Sequence, residues 1–256
     1  MNEIEKYYNK FNEDKRLCSR HGQVEFFTTM HHIKKSLVPN AKIIDIGAGT
    51  GKYSIALYNM GYQVTAVELV KKNLSVLKQN CPNLPSFLGN ALNLKKIADN
   101  SFDVTLLLGP MYHLFNKQDK IKALAEAKRV TKPNGVIFVA YLLADYAIIR
   151  HAIMDGNLSA SVAQNKIDSN YNIISCEQDL YSYVRLSDIN EYNLGAQLTR
   201  KYMFTPDGAT DYIRPYVNKL SEADFEYYKQ YVLAFSTDES KLGASSHVVD
   251  VLINTK

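Results

Sequence analysis

The sequence contains no tryptophan and only three cysteines among its 256 residues. Cys18, Cys81 and Cys176 are widely separated and form neither a C-x-x-C pair nor a Cys/His spacing typical of metal sites. An odd, scattered set of this kind excludes a fold built on disulfides and gives no zinc signature. We therefore expect free thiols and no bound metal.

Long apolar runs are also missing. No stretch approaches the roughly 18 apolar residues that a membrane-spanning helix requires. Residues 1–6 lack the basic and then apolar pattern of a signal peptide. The net charge is only +4, and the lysines are spread along the chain as pairs. These features predict a cytoplasmic protein with neither a membrane nor a nucleic acid as partner.

The length and composition are those of an ordinary globular protein. Apolar residues make up 46% of the chain and charged residues 22%, and no repeat or low-complexity tract is visible. A chain of 256 residues can form one domain, or a core with a small addition. We expect a monomer or a homodimer.

Three of the twelve glycines fall within five residues, at positions 47, 49 and 51. They follow an apolar run, 43–46, that reads as a buried strand, and a helix is predicted after them. Glycine permits a sharp turn and close approach of the backbone to a ligand. The first turn of the following helix offers unpaired N–H groups and a positive dipole end. The pattern predicts a site for a nucleotide-like ligand.

The spacing of the glycines narrows the choice of ligand. A dinucleotide site usually reads G-x-G-x-x-G/A, whereas Lys52 occupies the last of these positions. The pattern D-x-G-x-G-x-G, with Asp45 at the strand end, resembles motif I of the class I S-adenosylmethionine-dependent methyltransferases. In that family the turn, including Ala48, contacts the cofactor. The alternative is an ordinary strand-to-helix connection in another α/β protein.

A second apolar strand, 63–67, ends in Glu68, seventeen residues beyond Gly51. Nucleotide-binding folds place an acid near this point to accept hydrogen bonds from the ribose hydroxyls. Glu68 is therefore the predicted ribose ligand, and the resemblance adds Leu69 to the cofactor contacts. The alternative is a solvated charge at the end of a strand.

The segment 86–94 resembles the part of these methyltransferases that flanks adenine. Asn90 stands where family members commonly carry Asp, and its side-chain oxygen can accept the same hydrogen bond from the adenine amine. Ala91 and Leu92 would supply a backbone N–H and an apolar wall. Alternatively, Gly89 and Asn90 form a plain turn.

A fourth strand is predicted over residues 102–108. The resemblance places its end, Leu108 and Gly109, beside the methyl group that is transferred. His113 follows at a suitable position for a general base and has a reference pKa of about 6.5. Tyr112 would orient the methyl acceptor. The alternative for His113 is a histidine of the core or of the cleft rim.

Strand and helix patterns alternate from residue 42 to residue 141, which predicts a doubly wound α/β fold. The resemblance implies a mostly parallel seven-stranded sheet, the Rossmann-like methyltransferase fold. We expect strand six at 198–204 and an antiparallel last strand at 248–253. The predicted parts are a helical leader (1–40), the cofactor-binding core (41–141), a cap insertion after strand five (142–197) and a segment that completes the core (198–256).

The leader and the cap carry the remaining candidate residues. Tyr7 and Tyr8 could cover a sulfonium by cation–π attraction, and Arg16 could pair with a carboxylate. An amphipathic helix that only packs on the sheet is an equal alternative for this leader. Tyrosines are frequent in and around the cap, which suits either a substrate pocket or the rim of a second core.

The resemblance implies transfer of a methyl group from S-adenosylmethionine to a small molecule, leaving S-adenosylhomocysteine. Residues 109–114 and 127–135 are most similar to the ubiquinone and menaquinone biosynthesis type of the family. A non-catalytic protein that binds S-adenosylmethionine or S-adenosylhomocysteine for regulation is the main alternative. A nucleotide-dependent oxidoreductase is a third possibility, which Lys52 disfavours.

Overall fold

The computed structural model describes residues 19–243 and 245–255. Over this part of the chain, eight strands form one sheet in the order β3-β2-β1-β4-β5-β8-β7, with β6 beside the end of β5. The strands are β1 (Lys42–Ile46), β2 (Gln63–Glu68), β3 (Ser86–Leu88), β4 (Phe102–Leu107), β5 (Thr131–Leu143), β6 (Tyr183–Val184), β7 (Thr199–Phe204) and β8 (His247–Ile253).

Ten α-helices are found in the same residues, together with a 3-10 helix at Pro110–His113 and a π-helical turn at Ile148–Ile153. The α-helices are α1 (Arg20–Lys35), α2 (Lys52–Asn59), α3 (Lys71–Asn80), α4 (Lys117–Val130), α5 (Ala144–Ala147), α6 (Leu158–Ala163), α7 (Leu186–Ala196), α8 (Arg214–Val217), α9 (Glu222–Ala234) and α10 (Glu239–Leu242).

The central strands of the sheet are parallel. β1 pairs with β2 and β4, β2 pairs with β3, and β4 pairs with β5, all in parallel register. β8 runs antiparallel between β5 and β7. The predicted seven-stranded, mostly parallel sheet with an antiparallel last strand is therefore confirmed, and β6 is a short addition to it. The carboxyl ends of β1, β2 and β4 meet at one edge, where α/β sheets bind ligands.

Helices cover both faces of the sheet. Ile43 and Ile44 are adjacent in β1 and fully buried, yet they belong to different apolar clusters because side chains alternate across a strand. The Ile43 cluster includes residues of α1, α2 and α3. The Ile44 cluster includes residues of α4 and α7. The result is the doubly wound, three-layer arrangement expected from the sequence.

Helix α4 leads away from the edge where the ligand site lies. The Asn116 side chain caps its start by accepting a hydrogen bond from the Asp119 amide at 2.7 Å. Ala123, Leu124 and Ala127 are buried at helical spacing against the sheet. Lys120 lies on this same buried face, where a charged side chain is unusual.

The chain between β5 and β7 departs from regular alternation, as expected after strand five. β5 is the longest strand of the described residues, with 13 residues, and it extends through Leu143. Short helices follow, and then β6, which pairs with the last two residues of β5. Helix α7 buries Ile189 and Tyr192 in the same cluster as α4, so it covers the sheet as well as closing this insertion.

Some sequence predictions lie outside the described residues, namely those for Tyr7, Tyr8, Arg16 and Cys18. Cys81 and Cys176 are both free thiols, the first buried and the second exposed. No helix in residues 19–243 and 245–255 is long and apolar enough to cross a bilayer.

Candidate functional site

A cleft opens at the carboxyl ends of β1, β2 and β4. It contains all the predicted cofactor contacts except Gly51, and both predicted catalytic residues. Its lining residues are Glu25, Asp45, Gly47, Ala48, Gly49, Thr50, Lys52, Tyr53, Glu68, Leu69, Val70, Asn73, Gly89, Asn90, Ala91, Leu92, Leu108, Gly109, Pro110, Tyr112, His113 and Leu114.

The glycine turn forms one wall of this cleft. Gly47 has a φ of 77°, which L side chains rarely adopt, and a Cβ atom there would lie 2.7 Å from the ring of Pro110. The amides of Gly47 and Ala48 donate to the Val67 carbonyl at 2.7 and 3.1 Å. These bonds fix the start of the turn to β2, so the turn keeps its shape without a ligand.

Gly51 is the one predicted cofactor contact that does not line the cleft. It precedes α2 with a φ of 95°, and a Cβ atom there would lie 2.9 Å from Leu77 on α3. It is not among the residues that line the cleft. The contribution of Gly51 is thus to let α2 start close to α3, and the surface of the turn is supplied by Gly47, Ala48 and Gly49.

Glu68 ends β2 with its carboxylate in the cleft wall. One oxygen, Oε2, accepts a hydrogen bond from the Gly49 amide at 2.8 Å, and Oε1 accepts one from the Val70 amide at 2.8 Å. The side-chain Nδ2 atom of Asn73 lies 3.5 Å from Oε1. Burial raises the pKa of Glu68, and the backbone hydrogen bonds oppose that rise. A carboxylate offers about four acceptor positions, so one remains for a ligand hydroxyl.

Asp45 lies beneath the turn and is 2% exposed. Its Oδ2 accepts a hydrogen bond from the Ser54 hydroxyl at 2.5 Å. Burial raises the pKa of Asp45 to about 6, with a further contribution from the nearby charge of Glu68, while the Ser54 hydrogen bond opposes the rise. A cationic group in the cleft would therefore lower the pKa of Asp45 and favour its charged form.

Asn90, Ala91 and Leu92 form the neighbouring wall. The Asn90 Oδ1 atom accepts a hydrogen bond from the Leu92 amide at 2.9 Å, which makes a tight side-chain turn. The Leu92 N–H is thus already used within the protein. The Asn90 oxygen keeps a second lone pair, which can still accept a hydrogen bond from a ligand.

The segment after β4 closes the opposite side of the cleft. Tyr112 and His113 lie in the 3-10 helix at Pro110–His113. The His113 Nδ1 atom is 3.0 Å from the Leu180 carbonyl oxygen, so Nδ1 carries the proton and Nε2 is the basic nitrogen. Burial lowers the pKa of His113 to about 4. The hydrogen bond to Leu180 works against this shift, and the charge of Lys120 adds to it. His113 is consequently neutral near pH 7.

The cap meets the cleft at Tyr181. Its ring lies 5.5 Å from the ring of His113 and 5.7 Å from that of Tyr112, measured between centroids. These distances are typical of favourable aromatic pairs. The cap therefore contacts both predicted catalytic residues through one aromatic side chain.

Sequence reasoning missed several residues at this site. Glu25 reaches the cleft from α1, and Asn73 reaches it from the first turn of α3. Lys120 is the third missed residue, because its ammonium group donates to the Met111 carbonyl in the segment after β4. A signal for Lys120 was present in the sequence: it stands three, four and seven residues before Ala123, Leu124 and Ala127, a spacing typical of one face of a helix.

The arrangement suits a small ligand with hydroxyl and amine groups. Backbone amides, the three carboxyl groups of Glu25, Asp45 and Glu68, and an amide oxygen converge on the cleft, and apolar residues line much of the remainder. No group of three or more His, Cys, Asp and Glu side chains that could hold a metal ion occurs within the described ranges.

Comparisons with known proteins agree with this geometry. Residues 44–139 match the family model described as a methyltransferase domain. A stretch of 104 residues is 40% identical to the demethylmenaquinone methyltransferase of Renibacterium salmoninarum, covering 40% of this chain and 42% of that protein. The aligned stretch thus spans less than half the length of the curated relatives that it matches.

Solved structures extend the likeness over nearly the whole chain. A SAM-dependent methyltransferase of Thermotoga maritima superposes with a TM-score of 0.59 over 99% of each chain, at 16% identity. The geranyl diphosphate C-methyltransferase of Streptomyces coelicolor, solved with Mg²⁺, geranyl diphosphate and S-adenosylhomocysteine, gives 0.55 at 14% identity. The latter match covers 91% of this chain and 78% of that one. At such identities the likeness shows the fold alone.

Proposed function

We propose that the chain transfers a methyl group to a small-molecule acceptor, because residues 44–139 match the family model described as a methyltransferase domain. S-Adenosylmethionine is the proposed donor and S-adenosylhomocysteine the product. The identity to demethylmenaquinone methyltransferases supports the small-molecule branch of the family. The acceptor itself is left open, because fold and family do not determine it.

The observation that carries this proposal is the convergence of separate sequence segments on one cleft. Up to 66 positions of the chain, from residue 47 to residue 113, separate these segments. They are the glycine turn, Glu68, residues 90–92 and the His113 segment. All of them line the same space at the carboxyl ends of parallel strands. An ordinary strand-to-helix connection would not require this agreement.

The residues present fit an adenosyl group. Glu68 has an acceptor position left for ribose, and Asn90 keeps an oxygen lone pair for the adenine amine. Ala91, Leu92 and Leu69 supply apolar surface for a purine ring. The buried carboxyl of Asp45 suits the amino group of a methionyl tail, since ionisation of that carboxyl is favoured by a nearby cation.

In this proposal the main task of the chain is to align the acceptor with the methyl group of the donor. The bound donor supplies a methyl group already activated by a positive sulfur. Holding an acceptor in line with that group can contribute on the order of 7–11 kcal/mol in favourable cases. In this proposal Tyr112 orients the acceptor, and His113 accepts a proton at Nε2 where the acceptor must lose one. The neutral state of His113 leaves Nε2 able to do so.

The division of the chain into parts belongs to this proposal. The leader (1–40) would cover the donor, the core (41–141) would bind it, the cap (142–197) would receive the acceptor, and residues 198–256 complete the sheet. Contact between Tyr181 of the cap and His113 of the core supports the placement of the acceptor at this junction. A cytoplasmic location, a monomeric or homodimeric state and the absence of a nucleic-acid partner stay predictions from the sequence.

Two measurements test the proposal. Thermal unfolding with S-adenosylhomocysteine or with NAD identifies the ligand, since a ligand that binds only the native state raises the melting temperature. We expect stabilisation by S-adenosylhomocysteine alone, and the opposite result would overturn the assignment. Incubation with methyl-labelled S-adenosylmethionine and a metabolite extract should then give a labelled product. Binding without any transfer would favour the regulatory, non-catalytic alternative.

A further inference from the structure

Lys120 is a lysine in the protein interior, and within residues 19–243 and 245–255 no carboxylate lies directly on its ammonium group. It is 2% exposed and lies on the buried face of α4. Burial lowers the pKa of Lys120 to about 7, and the charge of Asp188 on α7 opposes this change. A lysine is rarely buried in this way unless its charge has specific partners.

The partners of Lys120 come from two separate parts of the chain. The Nζ atom donates to the Met111 carbonyl at 2.6 Å and also to the Leu114 carbonyl. Both carbonyls belong to the segment that carries Tyr112 and His113 into the cleft. The third bond goes to the Ser182 hydroxyl of the cap at 2.7 Å. An ammonium group has three N–H donors, and all three are used.

Further bonds join the same two segments. The Ser182 amide donates to the Tyr112 carbonyl at 2.7 Å, and the Ser182 hydroxyl donates to the Leu114 carbonyl at 2.8 Å. The His113 Nδ1 atom donates to the Leu180 carbonyl at 3.0 Å. Lys120 thus lies at the centre of a hydrogen-bonded joint between the catalytic segment (109–114) and the cap segment (180–182).

We propose that Lys120 is a positioning residue that couples the cap to the catalytic segment, so that ligand binding in the cleft also orders the cap segment. Only the ammonium form satisfies all three acceptors, because a neutral amine has two N–H donors. The charge of Asp188 raises the pKa of Lys120, and the charge of Lys120 in turn lowers the pKa of His113. The importance of this coupling for turnover rests on the proposed methyltransferase function, whereas the joint itself does not.

Hydrogen exchange followed by mass spectrometry tests the joint without any ligand. In Lys120→Met, exchange should accelerate by about tenfold in peptides from both segments, because each loses a charged hydrogen bond. Peptides from β1 and β2 should keep their wild-type rates. Lys128→Met is the matched control, since Lys128 lies on the same helix and donates to the Gln197 carbonyl at 2.7 Å away from the cleft.

Ser182→Ala provides a second variant that leaves Lys120 in place. It removes the cap partner of the ammonium group, and exchange in the catalytic segment should again accelerate. Wild-type exchange in the catalytic segment of Ser182→Ala would overturn the proposal, even if Lys120→Met proved too unstable to study. Acceleration confined to one segment in Lys120→Met would overturn it as well.

A final arm adds S-adenosylhomocysteine as the probe. In the wild-type protein we expect slower exchange in the glycine turn, the catalytic segment and the cap segment. In Lys120→Met the first two should still respond, and the response of the cap segment should be lost. An equal response of the cap in both proteins would overturn the coupling. If the probe protects no segment, the proposed function fails, and the ligand-free comparison still decides the role of Lys120.

Discussion

The Glu68 carboxylate and the Gly49 amide are joined by a hydrogen bond of 2.8 Å. Glu68 ends one strand and Gly49 belongs to the turn after its neighbour, so the bond ties two walls of the cleft together. The acid expected to bind ribose therefore also holds the glycine turn in shape. This double role means that substitutions at Glu68 affect both the ligand and the turn.

Replacing Glu68 tests this double role. Glu68→Gln keeps one acceptor oxygen but turns an amide N–H₂ toward one of the two backbone donors. We expect affinity for S-adenosylhomocysteine to fall by about 1–3 kcal/mol in calorimetry, as it would for Glu68→Ala. Asp103→Asn is a suitable control, because Asp103 also accepts from a backbone amide, that of Lys42, at 2.8 Å and lies outside the cleft. Unchanged affinity in Glu68→Gln would contradict the assignment.

Two glycine substitutions distinguish the effect of backbone strain on stability from the effect of a new side chain on ligand binding. Gly49 and Gly61 both have positive φ, 58° and 90°, and a Cβ atom at either would meet nothing within 4 Å. Each change to Ala should cost about 1–2 kcal/mol in the free energy of unfolding by urea. Only Gly49 lines the cleft, so only Gly49→Ala should also weaken binding of S-adenosylhomocysteine. Equal binding by the two variants would remove the turn from the ligand site.

His113 should control the methyl-transfer rate but not donor binding. We expect His113→Gln to lower labelled product formation by about a hundredfold, with S-adenosylhomocysteine affinity changed less than about twofold. His151→Gln, at an exposed cap histidine, should leave both unchanged. Full activity of His113→Gln would make His113 a packing residue.

The pH profile gives an independent check on His113. Its pKa is lowered to about 4, so Nε2 becomes protonated only as the pH falls through that value. Between pH 5.5 and 7.5 this residue should therefore cause no loss of kcat/KM. A base with an ordinary histidine pKa would instead halve the rate near pH 6.5. An acid limb at that pH, abolished in His113→Gln, would contradict the buried geometry.

Asp45 should make stability depend on pH in a defined direction. Its pKa is raised from 3.8 to about 6 in the folded protein, so between these values the native state binds more protons than the unfolded state. The free energy of unfolding contributed by this group must therefore fall as the pH rises through that window. Relative to Asp45→Asn, the wild-type protein should lose stability between pH 4.5 and pH 6.5 in urea unfolding. A constant difference would contradict the raised pKa.

Much of the lining of the cleft could be predicted from the sequence. The glycine turn, Glu68 and Asn90 are signals made by neighbouring residues, and each follows a strand that is visible as an apolar run. Parallel strands bring their carboxyl ends to one edge, so local signals suffice to assemble the cleft. Strand six was also correctly placed at residues 198–204.

The sequence was less informative where a role depends on distant contacts. Gly51 matched the motif, yet it does not line the cleft. The lack of a Cβ atom at this position makes room for Leu77. The hydrogen bond from the Leu92 amide to the Asn90 side chain was also not expected. Helix α7 was not expected, because the insertion after β5 has no regular alternation of patterns.

The sequence by itself determined the layered α/β fold and the edge of the sheet at which the cleft opens, because apolar periodicity and glycine spacing are local properties. Only the tertiary structure decided which distant segments the buried charges join. Lys120 and Ser182 are 62 positions apart, and their 2.7 Å contact exists because α4 and the cap fold over the same strand end. Long-range hydrogen bonds of this kind arise from packing, which no local pattern encodes.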